Sequence, residues 1–244
     1  MFARSLLSIC LVCALWPVAS YGTIIISHVG SADPATEGWV APVSGCVVVG
    51  PVYNDRGLDA WSVNDTSTVS GSGTAVYRFV PSAAVISTVL SGGWKLSAQL
   101  RVVNAPENPD RASFVDFIDG ATRWRMDFGA DTSGDPIVLL QDGVDENGND
   151  TGTPFTLVGG GNGYHLYQLI YDPASATVDL FVDGSERVSN FAGMTTAITR
   201  IAFGAGQEAQ TGNVNFNLVQ LIPEPATLSL LALGGLAMMR RRRK

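Results

Sequence analysis

From Ile24 to Leu221 the chain alternates short runs of β-branched, aromatic and aliphatic residues with clusters of Gly, Asp, Asn, Ser and Pro. Twelve runs read as strands: Ile24 to Val29, Cys46 to Val52, Thr74 to Val80, Lys95 to Val103, Ala112 to Ile118 and Thr122 to Phe128, then Pro136 to Gln141, Phe155 to Val158, Tyr164 to Tyr171, Thr177 to Val182, Arg200 to Phe203 and Val214 to Leu221. No stretch of the body sustains a helical period. One short helix is expected over residues 82–90, bounded by Pro81 and Gly92. Short strands with turn residues at this spacing predict an all-β fold, a two-sheet antiparallel sandwich. No internal repeat or linker divides it.

Two Asp-Gly pairs predict hairpins. Asp119-Gly120, taken as a two-residue turn, sets Asp116 against Arg123, Phe114 against Arg125 and Val115 against Trp124. Strand side chains alternate between faces. Val115, Phe117, Trp124 and Met126 therefore point into a core, and Asp116, Arg123, Arg125 and Asp127 point away from it. The charged face has two readings: a cross-strand ion-pair ladder on a solvated surface, or a grip for sugar hydroxyls or carboxylates through charge-assisted hydrogen bonds. In the second, Trp94 or Tyr164 offers a stacking surface.

The second pair, Asp183-Gly184, closes a run in which the aromatic strand from Tyr164 leads through Asp172-Pro173 to a strand ending Phe181-Val182-Asp183-Gly184. With the later Ile198 to Gly204, this run resembles the central hairpins of concanavalin A-like, laminin-G-type jelly rolls, over about Thr74 to Leu221. The resemblance implies two packed antiparallel sheets with a concave face, and often sugar binding.

The two ends read differently from the body. Met1 to Arg4 is a short positive region, Ser5 to Leu15 is apolar, and Trp16 to Gly22 holds a proline followed by small residues. Residues 1–22 read as a secretory signal peptide, set aside from fold reasoning. At the other end Pro223, Glu224 and Pro225 precede an apolar run, Ala226 to Met239, and then Arg240, Arg241, Arg242, Arg243 and Lys244. An apolar helix is expected there, but its 14 residues cover roughly 21 Å of a hydrocarbon core about 30 Å thick. Such a span suits temporary insertion. Cations stay on the cytoplasmic side, which leaves the body outside.

This ordered set resembles the PEP-CTERM sorting signal of bacterial envelope proteins. The resemblance implies recognition by an exosortase-type sorting protease, transient insertion of the tail in the inner membrane, and delivery of the body to the cell envelope, surface or extracellular matrix. The expected organisation is a signal peptide over residues 1–22, a jelly-roll domain over 23–222 and a sorting tail over 223–244.

Setting the ends aside changes the charge. Of 15 basic residues Arg4 and the five of the tail leave, and of 22 acidic ones only Glu224 does, so nine cations face twenty-one anions and the body carries −12. Nucleic acid, whose phosphates need cationic partners, is excluded by that balance. So are anionic membrane surfaces. Cys46 alone stays with the body, so no intrachain disulfide forms there and Cys46 is expected as a small buried hydrophobe.

Catalytic constellations are sparse. Glycan cleavage needs two carboxyls on one face, whereas Asp116 and Asp119 stand three apart, on opposite faces, and Asp183 belongs to a turn. His28 and His165 are far apart in sequence, and His165 is expected to pack within an aromatic strand. Gly159 to Gly163 lacks the lysine and helix of a phosphate cradle and reads as a flexible loop. Asp142, Asp145, Asn147, Asn149 and Asp150 gather oxygen donors, so calcium is the ion to consider. Their spacing departs from the EF-hand pattern, and a solvated hairpin loop turning on Asn147-Gly148 is the plainer expectation. The expected function is a non-catalytic, carbohydrate-binding envelope or matrix protein whose partner is an extracellular polysaccharide. The alternatives are a glycan hydrolase or lyase of the same fold, and a structural matrix protein without a small ligand.

Overall fold

The structure is a computed structural model that describes residues 23–41, 43–67, 73–105, 112–144, 150–206 and 211–224. In chain order it places β1 (Ile26–Val29), a 3-10 turn (Pro34–Glu37), β2 (Val43–Gly45), β3 (Val47–Asp55), β4 (Leu58–Thr66) and β5 (Gly73–Phe79). Helix α1 (Ala83–Gly92) follows, then β6 (Trp94–Asn104), β7 (Ser113–Asp119), β8 (Thr122–Ala130), β9 (Pro136–Val144) and β10 (Asp150–Thr156). The last third holds β11 (His165–Asp172), β12 (Thr177–Val182), β13 (Ser185–Phe191), β14 (Met194–Thr195), β15 (Thr199–Ala205) and β16 (Thr211–Pro223).

These strands form the expected two-sheet antiparallel sandwich with one short helix. The first sheet runs β13-β12-β11-β6-β16-β4-β3 with β1 added to β16, and the second runs β10-β9-β8-β7-β15-β5-β2 with β14 added to β8. Alternation decides which side of each strand is buried. Along β6, Trp94, Leu96, Ala98, Leu100 and Val102 are buried, while Lys95, Gln99 and Arg101 lie between them on the other side. β12 repeats this with Val178, Leu180 and Val182. Aromatic rings fill one end of the core: Trp94 stacks on Tyr171 at 5.4 Å and meets Phe117 edge-on at 4.9 Å and Trp124 at 5.2 Å. Such pairs add about 0.5–1.5 kcal/mol each beyond the area they bury.

Helix α1 begins where Ser82 caps it, its hydroxyl accepting from the Val85 N–H, and it ends at Gly93, whose φ of 89° a larger residue resists. It therefore runs two residues past its expected end.

Four features correct the sequence reading. The Asp119-Gly120 hairpin sits in another register: Asp116 faces Arg125, Phe114 faces Asp127 and Val115 faces Met126. The Asp119 carboxylate accepts from the N–H groups of Ala121 and Thr122, both at 2.7 Å, so Gly120 and Ala121 make the turn and Asp119 ends the strand. The slip is even in number, so every side chain keeps its predicted face. Cys46 is exposed rather than buried, because it stands between β2 and β3 where the chain passes from one sheet to the other.

The glycine loop is pinned rather than free. The Asp135 carboxylate accepts from Gly159 N–H at 2.8 Å and Gly161 N–H at 2.9 Å, and the Asn162 carbonyl accepts from Arg101 Nε at 2.7 Å. Finally, β2, β4, β13 and β14 are strands the hydrophobic pattern did not announce. The expected signal peptide, residues 1–22, and the apolar run of the tail lie outside the described residues. No described helix is long and apolar enough to cross a membrane.

Candidate functional site

Three neighbouring strands, β15, β7 and β8, build the charged face. Their odd-numbered core residues on β7 and β15, Val115, Phe117, Ile201 and Phe203, and the even-numbered Trp124 and Met126 on β8, pack inward. Their alternates point away: Phe114 and Asp116 from β7, Arg123, Arg125 and Asp127 from β8, and Arg200 from β15. The register sets Ile118 between Arg123 and Arg200, and Asp116 between Arg125 and Ala202. Asp116 thus has a guanidinium on either diagonal.

Arg200 takes both oxygens of that carboxylate, Nη2 donating at 2.7 Å and Nε at 3.3 Å. Arg123 Nε lies 3.4 Å from the same Oδ2. Arg125 donates to Asp127 from Nε, and its guanidinium lies over the Phe114 ring at 4.2 Å. Arg200 approaches that ring from further off, at 5.8 Å. The face is therefore one connected cluster of three arginines, two aspartates and an aromatic ring.

A solvated ladder is not what forms. The side chains of Asp116 and Asp127 have no exposure at all, whereas those of Arg123, Arg125 and Arg200 keep 15, 13 and 23 %. Carboxylates make the floor and guanidinium groups the accessible upper layer. Among the described residues Arg123 Nε is buried without a hydrogen-bond partner. Burial, followed by the charge of Arg125, pulls the Arg123 guanidinium below its ordinary pKa, against the opposing pull of Asp116 and Asp127. Beside Arg200 opens a groove of about 600 Å³ whose walls include Val40, Arg78, Phe79, Val80 and Ile198. That size is within the range of small-ligand clefts.

The other expected site residues fall elsewhere. Trp94 is fully buried in the core stack and offers no surface. Tyr164 precedes β11 in the first sheet and donates from its hydroxyl to Asp55 at 2.9 Å. There it joins a separate polar cluster in which Asp55 also accepts from Asn215 Nδ2 at 2.8 Å and from Arg101. Burial alone raises the Asp55 carboxyl, but the donors from Arg101, Asn215 and Tyr164 together outweigh it and hold the pKa below its ordinary value. Burial and the bond to Asp55 push the Tyr164 phenol up.

Of the calcium loop, Asp142 is exposed and accepts from the Thr151 hydroxyl at 3.0 Å, while Asp145, Asn147, Asn149 and the side chain of Asp150 lie outside the described residues. His165 is satisfied by Asp183 at 2.7 Å and the Gly160 carbonyl at 3.3 Å, as a packing residue should be. Arg200, Phe114 and the whole Asp55 cluster were not foreseen. The alternation around Ile201 and Phe203 does put Arg200 on the far face, but no local signal says that β15 lies beside β7.

Comparison with known proteins adds two family matches. The model described as Vibrio cholerae sialidase, lectin insertion, matches residues 64–228, and the PEP-CTERM protein-sorting motif matches residues 221–244. A PEP-CTERM motif implies an exported, cell-surface-sorted chain processed by an exosortase. No curated protein matches the chain. Among solved structures, a conserved carbohydrate esterase of the Shiga toxin-encoding bacteriophage phi24B is similar with a TM-score of 0.57 and 15% identity, over 82% of this chain and 98% of that one. Botulinum neurotoxin type C, whose cell entry depends on two ganglioside molecules, is similar with a TM-score of 0.50 and 14% identity, over 83% of this chain and 48% of that one. The chain thus spans about half the length of the neurotoxin structure. At these identities the likeness is one of fold, the concanavalin A-like sandwich.

Proposed function

The chain belongs to the Vibrio cholerae sialidase lectin-insertion family, and from that premise we propose that its body is a non-catalytic carbohydrate-binding module displayed outside the cell. A signal peptide over residues 1–22 starts export, residues 23–222 bind, and the sorting tail that begins at 223 is processed during sorting. The partner is an extracellular polysaccharide, reached by Arg123, Arg125 and Arg200 and by the groove beside Arg200.

One observation carries this reading. Three of the nine cations of a body with charge −12 converge on one sheet face, above a floor that holds two carboxylates. Guanidinium groups oriented by buried carboxylates present N–H donors in fixed directions, which suits the hydroxyl and carboxylate oxygens of a sugar. With three positive and two negative groups the cluster keeps one surplus charge. An acidic sugar is therefore favoured over a neutral one. The same geometry argues against glycan cleavage, which requires one carboxyl free to donate a proton and another free to attack. Here both oxygens of Asp116 are taken by Arg200.

The test is calorimetric titration of acidic and neutral polysaccharides into the purified protein, with and without calcium. Acidic polymers are expected to bind more tightly, and Arg123→Gln to weaken binding by about tenfold, the value of one charge-assisted bond. Arg123→Gln leaves Arg200 on Asp116, so the fold is kept. Release of reducing ends would replace this reading with a hydrolase, and a folded protein that binds no glycan would replace it with a structural matrix role.

A further inference from the structure

The sorting motif is not separate from the folded body. Pro223 is the last residue of β16 and stands opposite Trp94 of β6, with Ile222 opposite Lys95. The Glu224 N–H donates to the Gly93 carbonyl at 3.0 Å. A side chain at Gly93 would stand 3.2 Å from the Tyr171 carbonyl and 3.4 Å from Glu224 Cβ, so the segments at Gly93 and Glu224 are in close contact there. On the other flank of β16, Ile26 faces Leu221, and the Ile25 N–H donates to the Leu221 carbonyl at 3.0 Å. Pro223 also lines an apolar groove with Ile24 and with Val85 and Val89 of helix α1.

A protease takes its substrate as a stretch free of other backbone partners, and in a folded protein such stretches must first open. To free the bonds before Glu224, the end of β16 would have to leave β6 and β1 together, in the middle of the first sheet. We infer that the sorting protease cuts C-terminal to Glu224, and that Pro223 and Glu224 stay on the mature protein as the last residues of its folded body. This rests on the reading that the tail is processed. Hydrolysis breaks one C–N bond beyond Glu224; the hydroxyl of water goes to the new carboxyl and its proton to the departing amine.

Two measurements test it. Mass spectrometry of the mature protein from its native envelope is expected to show a C-terminus at Glu224 or later. A terminus at Pro223 or upstream overturns the inference while leaving the sorting reading intact, and an unprocessed Lys244 overturns the sorting reading itself. Independently of any sorting enzyme, the purified full chain is treated with a protease that cuts after proline, folded and then unfolded in urea. Cleavage after Pro223 is expected to be at least a hundredfold slower in the folded chain; equal rates would overturn the inference.

Discussion

Arg200 and Arg123 touch one carboxylate, yet they are expected to respond differently to mutation. Asp116 has no exposure and takes its two best hydrogen bonds from Arg200. Removing one partner of a buried pair leaves a charge that water cannot reach, at a cost of about 3–5 kcal/mol. Arg123 stays 3.4 Å away and compensates part of that loss. Arg200→Ala is therefore expected to lower stability by about 3 kcal/mol in urea unfolding, and Arg123→Gln by less than about 1 kcal/mol. Equal losses would mean that Asp116 does not depend on Arg200.

Asp55 gives a pH signature at the same scale. Its folded pKa is depressed by the donors around it. The unfolded chain therefore binds more protons than the folded one below about pH 4, where an ordinary aspartate titrates. The stability it contributes is complete above that pH and is lost as pH falls through the folded pKa. Asp55→Asn should thus be less stable than the parent at pH 6, with the gap closing toward pH 2 in urea melts taken at each pH. A gap that stays constant across that range would show that the Asp55 carboxylate is not held by its partners.

At the level of elements, β15 is expected to be the strand least tolerant of change. It pairs with β7 on one side and β5 on the other. At Gly204 φ is +123°, and an added Cβ would lie 2.0 Å from the Ala75 carbonyl oxygen of β5. Gly204→Ala must therefore push β5 and β15 apart, and a loss of at least about 3 kcal/mol is expected in thermal or urea unfolding. Gly57, in the β3–β4 turn, has open space beyond it and serves as the control for φ alone, since it too is positive at +87°.

The elements also show how far the pattern could be read. Strands with one apolar face, such as β6, β11 and β12, were legible because alternation states their burial directly. β13 was not, since six of its seven residues, Ser185 to Asn190, are exposed or only partly buried at a sheet edge and no alternation results. β4 was hidden by its polar Ser62, Asn64 and Asp65, and by the turn at Arg56-Gly57, where arginine takes a positive φ of 51°. For the site, parity placed Asp116, Arg123, Arg125 and Asp127 on one face correctly although the register was two off. Arg200 needed the β15–β7 pairing, which joins residues some eighty positions apart and leaves no local trace.

For the whole molecule the decisive strand is the last one. β16 lies between β6 and β4 in the first sheet and also carries β1, so the two ends of the body are joined through it. Its final segment holds Val219 and Leu221, both fully buried, and all the partners of β1. A chain ending at Phe216 would leave β1 unpaired, open one hydrogen-bonding edge of β6 and remove two buried aliphatic side chains, each worth about 1.5–3 kcal/mol. Single domains carry only about 5–15 kcal/mol of net stability. Residues 23–216 are therefore expected to lack a cooperative melting transition, and residues 23–224 to melt like the full chain, as calorimetry would show. If residues 23–222 melted several degrees below residues 23–224, Pro223 and Glu224 would be shown to stabilise the body, through the pairing of Pro223 with Trp94 and the Glu224 to Gly93 bond. The sorting motif would then carry two roles on adjacent residues, its first part closing the fold and its later part marking the chain for release.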